Sequence, residues 1–444
     1  MKTTGSFATA LVAISLASTV TATPSEDSTL SIPLAKRANS APITQADGAV
    51  DWTSLNSHVA YTKGKYERTA ANYRQAHGVS PLAKRDESAE EKRSIPAFRG
   101  TGPIARGLPD DAKLVKRATT GQEALIDEQN GSLWAGYINI GSNNQRFLID
   151  FDTGSSDLWV PGVGCTASSC SSKAKYNPST SSTSRTTNKQ LNVAYGDGST
   201  SKGPAYSDNV NVAGLVATGQ TFGAASTLSA SFASSPEDGL LGMAFPSISQ
   251  LQTSPFFQTL ISQGKVASPQ FSFKLTPSGA SLDLGSMVSS RFVAGSTQYT
   301  PVTSQSYWNV KATTAVNGRA VSSVGTFAAI VDSGTTLIVA PASFAQSFYA
   351  AVPGATAYGN GYYQFPCSSV PSVSFSFPGS SKAWTIPASL FNLGRASSTS
   401  SQCIGGLVGQ DVGLDGLILG DVFMSSVYTT FDVGNNRVGF STLA

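Results

Sequence analysis

One short run occurs twice, and it constrains the fold more than any other feature. Asp152-Thr153-Gly154-Ser155-Ser156 ends an apolar stretch that includes Phe147, Leu148 and Ile149, and 180 residues later Asp332-Ser333-Gly334-Thr335-Thr336 follows Ala329-Ile330-Val331. Each run reaches a proline nine residues past its aspartate, at Pro161 and Pro341, and each has a later apolar-apolar-glycine companion, Leu240-Leu241-Gly242 and Ile418-Leu419-Gly420. The chain therefore reads as two similar halves, each contributing one aspartate. A carboxylate at the end of an apolar strand is costly unless hydrogen-bonded, and flanking Thr/Ser hydroxyls and turn amides supply those bonds. Glycine lets a second backbone approach closely. Two such loops meeting across a pseudo-twofold axis would hold two carboxyls that cannot both ionise, giving a paired acid and base around one water.

Composition excludes most alternatives. The net charge of +3 over 444 residues comes without a basic block, which argues against a nucleic-acid partner. Residues 1–117 hold 16 of the 30 Lys+Arg, 11 of the 27 Asp+Glu and both histidines, His58 and His77. A mature chain starting after residue 117 would thus be slightly anionic and free of histidine. It could run neither a Ser-His-Asp nor a Cys-His mechanism, and could not build a His-ligated zinc site.

The amino terminus has the pattern of a secretory signal, with Lys2, an apolar stretch from Phe7 to Val20 and small residues at Val20-Thr21-Ala22, so residues 1–22 are expected to be a signal peptide. Residues 23–117 are charged and read as irregular. Four dibasic pairs punctuate them, at Lys36-Arg37, Lys84-Arg85, Lys92-Arg93 and Lys116-Arg117, as in a propeptide whose removal leaves a chain beginning near Ala118. Cys165, Cys170, Cys367 and Cys403 all lie beyond that point; four cysteines permit three pairings, and their spacing favours 165–170 with 367–403. Asn130-Gly131-Ser132 is a glycosylation sequon, and the carboxyl terminus lacks the apolar tail of an anchor signal.

Residues 118–444 read as mostly strand, with alternation at Phe271–Leu275 and Val373–Phe377. Two helices are expected. One follows Ser254-Pro255, with Phe256, Phe257, Leu260 and Ile261 on a face and Gly264 at its end; the other opens at Pro341 and runs through Phe344, Phe348 and Tyr349 to Pro353-Gly354.

With Tyr195-Gly196-Asp197-Gly198-Ser199, Asp238-Gly239-Leu240-Leu241-Gly242-Met243-Ala244-Phe245-Pro246 and Ile418-Leu419-Gly420-Asp421-Val422-Phe423 added to the two aspartate runs, residues 118–444 resemble a pepsin-family aspartic endopeptidase, in detail the secreted fungal members. The resemblance implies an all-β, bilobal fold, two pseudo-twofold-related barrel-like lobes (118–300 with a flap, 301–444) and an active site in the cleft between them. It implies that Asp152 and Asp332 share the catalytic proton, that Thr153 and Ser333 cross-brace the loops beside Gly154 and Gly334, and that Ser155 and Thr335 bond the outer carboxyl oxygens. Ser333 stands where many members have Thr. The pepsin dyad is the standard case of two aspartates sharing one proton, so the pKa logic is carried over from it. Tyr195 and Gly196 would lie on the flap, with Trp159 paired to Tyr195, and Asp197 would admit lysine before the scissile bond beside a preference for large apolar residues.

No metal or cofactor is called for. The expected partners are protein and peptide substrates, pepstatin-type inhibitors and the chain's own propeptide, with Lys63 or Lys65 contacting the dyad. The expected form is a secreted, unanchored monomer active in acid, with vacuolar delivery as the lesser destination. A catalytically inactive binding or inhibitor glycoprotein of the same fold is the competing expectation.

Overall fold

The computed structural model describes residues 30–33, 35–36, 43–82, 134–194, 200–229, 232–233 and 235–444. The expected signal peptide, three of the four dibasic pairs, Arg37 of the remaining one, the 117/118 junction, the Asn130 sequon and the flap residues Tyr195, Gly196 and Asp197 lie outside the described residues.

Among these residues the strands form two nine-stranded sheets, one in each half, a six-stranded sheet and a four-stranded sheet. The repeat in sequence is a repeat in topology. Gly239–Gly242 lies between Gln145–Asp152 and Leu158–Pro161, parallel to the first and antiparallel to the second. Gly416–Leu419 lies in the same way between Phe327–Val331 and Ile338–Ala340. Gly242 ends the first inserted strand and Gly420 directly follows the second, each where another backbone crosses. A Cβ on Gly242 would stand 2.4 Å from the Ser156 nitrogen, and one on Gly420 would stand 2.1 Å from the Thr335 oxygen, so only glycine fits.

The six-stranded sheet joins the halves. Its hairpin Tyr428–Asp432 and Arg437–Ser441 sits between Gln270–Lys274 and Gln298–Pro301, the last of which crosses the expected lobe boundary at 300/301. Beneath the two aspartate loops, Trp308 packs on Phe245, with centroids 4.6 Å apart, and on Phe431 at 5.0 Å; its indole N–H donates to the Met243 carbonyl. The core is thus continuous across both halves.

Both expected helices are present, at Phe256–Ser262 and Ala342–Tyr349, each preceded by its proline and burying the expected aromatic residues. The reading of residues 23–117 as irregular is corrected by a 26-residue helix, Trp52–His77. Asp51 caps its start by accepting from the Thr53 and Ser54 amides, and Gly78 closes it in the left-handed region at φ 75°. Leu55, Val59, Thr62, Tyr66, Ala70 and Tyr73 form its buried stripe, at the spacing of one helical face. Cysteines pair as the spacing favours, Cys165 with Cys170 and Cys367 with Cys403.

Candidate active site

Asp152 ends one strand, Asp332 follows the equivalent strand in the other half, and both are fully buried. The two loops lock together reciprocally. The Ser333 hydroxyl accepts from the Thr153 amide (3.1 Å) and donates to the Phe151 carbonyl (2.7 Å). The Thr153 hydroxyl accepts from the Ser333 amide (3.0 Å) and donates to the Val331 carbonyl (3.0 Å). Serine at 333 makes the same two bonds as threonine at 153, so its missing methyl costs the brace no hydrogen bond.

Each carboxyl is held by its own loop in the same way. The Gly154 amide donates to Asp152 Oδ1 at 2.8 Å, and the Gly334 amide to Asp332 Oδ1 at 2.9 Å. Ser155 donates to Asp152 Oδ2 at 2.6 Å, and Thr335 to Asp332 Oδ2 at 2.5 Å. A Cβ on either glycine would collide with the opposite aspartate: at Gly154 it would lie 2.5 Å from Asp332 Oδ1, and at Gly334 2.3 Å from Asp152 Oδ1. The close approach of two carboxyls therefore depends on glycine at both positions.

Two side chains of the long helix enter this space. Lys65 Nζ donates to Asp152 Oδ1 (2.6 Å) and to Asp332 Oδ2 (2.9 Å), and the Tyr66 hydroxyl donates to Asp332 Oδ2 (2.8 Å). Of the two expected lysines, Lys65 is the one brought to the dyad; Lys63 lies at the surface, 3.8 Å from Glu67. Nearby, His58 Nδ1 is 2.9 Å from the Thr336 hydroxyl. The sequence reading missed Tyr66, His58 and Thr336 as site neighbours. Tyr66 could have been found from the helical spacing of the buried stripe.

The charges separate the two carboxyls. Burial pushes Asp152 up, and the Lys65 ammonium offsets this only in part, leaving it at about 6. Burial acts on Asp332 as well, but there Lys65, the hydrogen bond with Asp152 and the Thr335 hydroxyl prevail and bring it down to about 2. Burial alone would depress the Lys65 ammonium; the two carboxylates outweigh it and hold its pKa above the usual lysine range. Burial, and next to it Asp332, raise Tyr66 well above the ordinary phenol value, so it stays a neutral donor.

Beside Asp152 a cleft is lined by Lys65, Thr69, Ser155, Trp159, Val193, Leu240, Ile248 and Gln250, among others. Trp159 is buried edge-on to Phe232, and its indole N–H has no hydrogen-bond partner among the described residues. Asp157 was not singled out from sequence. It is buried and accepts from the Ser249 hydroxyl and the Gln250 amide, which fixes the loop forming one wall of the cleft.

Residues 133–443 match the family described as eukaryotic aspartyl protease. An aspartic protease of Phaffia rhodozyma is 44% identical over 339 residues, covering 74% of this chain and 81% of that protein. Pepsin A of Rhinolophus ferrumequinum is 34% identical over 352 residues (77% and 88%), and pepsin A of Sus scrofa is 35% identical over 353 (77% and 88%).

Proposed function

The chain belongs to the eukaryotic aspartyl protease family, and from that premise we propose that Asp152 and Asp332 are the catalytic carboxyls of an endopeptidase that is made as an inhibited precursor, secreted, and active in acid. Its reaction is the hydrolysis of peptide bonds. In the working dyad one proton is shared. The ionised carboxyl takes a proton from water as the water oxygen bonds to the peptide carbonyl carbon, and the protonated carboxyl gives its proton to the carbonyl oxygen. Collapse of the resulting diol, with a proton delivered to the nitrogen, breaks the C–N bond. Gly154, Ser155, Gly334 and Thr335 hold the carboxyls in place, and Thr153 and Ser333 keep the two loops in register.

The observation that carries the precursor reading is the Lys65 ammonium, hydrogen-bonded to both aspartates with Tyr66 beside it. An ammonium there takes the position from which a water could be shared by the two carboxyls. We assign residues 1–22 to a signal peptide, 23–117 to a removable segment, 118–300 to the amino-terminal lobe with its flap and 301–444 to the carboxy-terminal lobe. Acid releases the segment. Lys65 lowers both carboxyl pKa values relative to the same buried dyad without it, so its hold is complete above the pKa values of the unclamped dyad. The hold weakens as pH falls through the clamped values, first at about 6 for Asp152 and finally near 2 for Asp332.

Apolar lining at Trp159, Val193, Leu240 and Ile248 suits large apolar side chains around the scissile bond, and the family resemblance adds lysine, through Asp197, as a second option. Among the described residues no helix is long and apolar enough to cross a membrane. The test is to purify the full chain at neutral pH, acidify it, and follow its mass together with casein hydrolysis with and without pepstatin. Conversion to a shorter, pepstatin-sensitive protease, and its loss in Asp152→Asn and in Asp332→Asn, are expected. Full activity of the unconverted chain at neutral pH overturns the precursor reading. Activity above about 1% in either purified variant overturns the dyad assignment.

A further inference from the structure

The segment that carries Lys65 is anchored a second time, far from the dyad. Asn392–Arg395 is an edge strand of the four-stranded sheet, and its outer side is filled by residues 44–50, a turn closed by the Gln45 amide on the Ala49 carbonyl (2.7 Å) with Thr44 bridged to Val50. The Arg395 carbonyl accepts from the Val50 amide (2.8 Å), the Arg395 amide donates to the Gly48 carbonyl (2.9 Å), and the Leu393 carbonyl accepts from the Thr44 hydroxyl (2.6 Å). Ala49 stands in parallel register with Arg395. Gly394, at φ 120°, makes the approach possible, since a Cβ there would lie 3.0 Å from the Gly48 oxygen. Two residues past Val50, Trp52 lies flat on Tyr358 (centroids 4.6 Å apart, planes 1° apart), meets Tyr362 edge-on at 5.3 Å and donates to the Ala396 carbonyl.

If residues 23–117 are removed, on which this inference rests, the receptor side of these contacts stays with the enzyme. The departing segment leaves three backbone groups of an edge strand without their partners, beside a tyrosine shelf whose Tyr358 is 45% exposed even under Trp52. Such an edge is a template for another backbone. We propose that in the processed enzyme the Asn392–Arg395 edge, with Tyr358 and Tyr362, is an exosite for a segment of protein substrates that turns against this edge and carries an aromatic side chain three residues beyond the one in register with Arg395. The vacated contacts specify that occupant: main-chain pairing in register with Arg395, then one flat aromatic ring. Lys65 is thirteen residues along the helix from Trp52, which puts the exosite roughly 20 Å from the dyad. An extended substrate needs about six residues to reach from one to the other, so short peptides engage the dyad alone.

The probe is a labelled peptide of residues 43–54, added to processed enzyme whose mass shows loss of residues 43–82, with the cleft filled by pepstatin. Binding is expected, about tenfold weaker for a Trp52→Ala probe and for Tyr358→Ala enzyme and restored in Tyr358→Phe. The same Tyr358→Ala enzyme is expected to show a raised KM for casein and an unchanged kcat/KM for a short peptide. Absence of probe binding, displacement of the probe by pepstatin, indifference to Tyr358→Ala, or an unchanged KM for casein each overturns the exosite. Retention of residues 43–82 in the active enzyme overturns the removal reading itself, and with it the exosite, a result that mass alone distinguishes from the others.

Discussion

Replacing Lys65 by methionine keeps an unbranched stem and deletes the charge between two buried carboxyls. Removing one partner of a buried ion pair typically costs about 3–5 kcal/mol. Here the loss falls at the low end, about 3 kcal/mol, because Asp152, already at about 6, can take up a proton when the ammonium is gone. At 1.4 kcal/mol per decade, the docked state of the helix then loses roughly a hundredfold of its advantage over the undocked state. The helix retains Tyr66, Trp52 and the Arg395 pairing, so the variant folds and remains docked most of the time. The assay is cleavage of a quenched fluorogenic peptide by intact precursor, with hydrogen exchange of the Trp52–His77 amides measured in parallel.

At pH 6.5 to 7 the Lys65→Met precursor is expected to cleave about a hundredfold faster than the wild-type precursor and to exchange its helix amides correspondingly faster. The gap should shrink as pH falls through about 6, where Asp152 protonates in the wild type, and close only as Asp332 follows near 2. A Lys65→Met precursor as silent as wild type at neutral pH, with the same acid profile of conversion, refutes the clamp.

Tyr66→Phe removes one hydrogen bond to an ionised carboxyl and leaves the ring packed on Tyr307; a loss of about 1.5–3 kcal/mol of docking should appear as conversion at a higher pH, with the processed enzyme unchanged. Thr153→Val keeps the shape but loses a donor and an acceptor of the brace, so kcat should fall more than KM rises, and a thermal melt will show a modest loss of stability. Opening the Cys367–Cys403 bond should destabilise more than opening Cys165–Cys170, about 4 against about 2 kcal/mol, because its loop spans 36 residues instead of 5; urea titration of the two Cys→Ser pairs gives the comparison.

The candidate site was legible from sequence because its residues are local to two short runs. Burying an aspartate at a strand end needs its own glycine amide and hydroxyl within three residues, and Gly154, Ser155, Gly334 and Thr335 supply them. The companion runs were legible for a related reason: each ends in a glycine where a backbone crosses. What joins the halves was not. Gln270–Lys274 pairs with Tyr428–Asp432, some 150 residues away, and neither strand carries a mark that names its partner. The flap lies outside the described residues, so the expectations for Tyr195, Gly196 and Asp197 rest on family resemblance alone.

The missed helix is the instructive case, because its signals were present and charge concealed them. Asp51, the stripe Leu55, Val59, Thr62, Tyr66, Ala70 and Tyr73, and Gly78 make a capped amphipathic helix, although Thr62 stands where an apolar residue would have made the stripe plain. That stripe also decides between the two candidate lysines. Residues two apart on a helix differ by about 200° in direction, so Lys63 and Lys65 cannot both face the dyad. Lys65 adjoins Tyr66 at the edge of the buried face, whereas Lys63 points to Glu67 at the surface. An ammonium that reaches both buried carboxyls must itself be buried, and there, with the Asp152 hydrogen bond and the Thr335 hydroxyl, it outweighs the burial that would raise Asp332. A lysine can meet that demand only from the packed face of an element, and reading the period of the stripe before its composition selects Lys65.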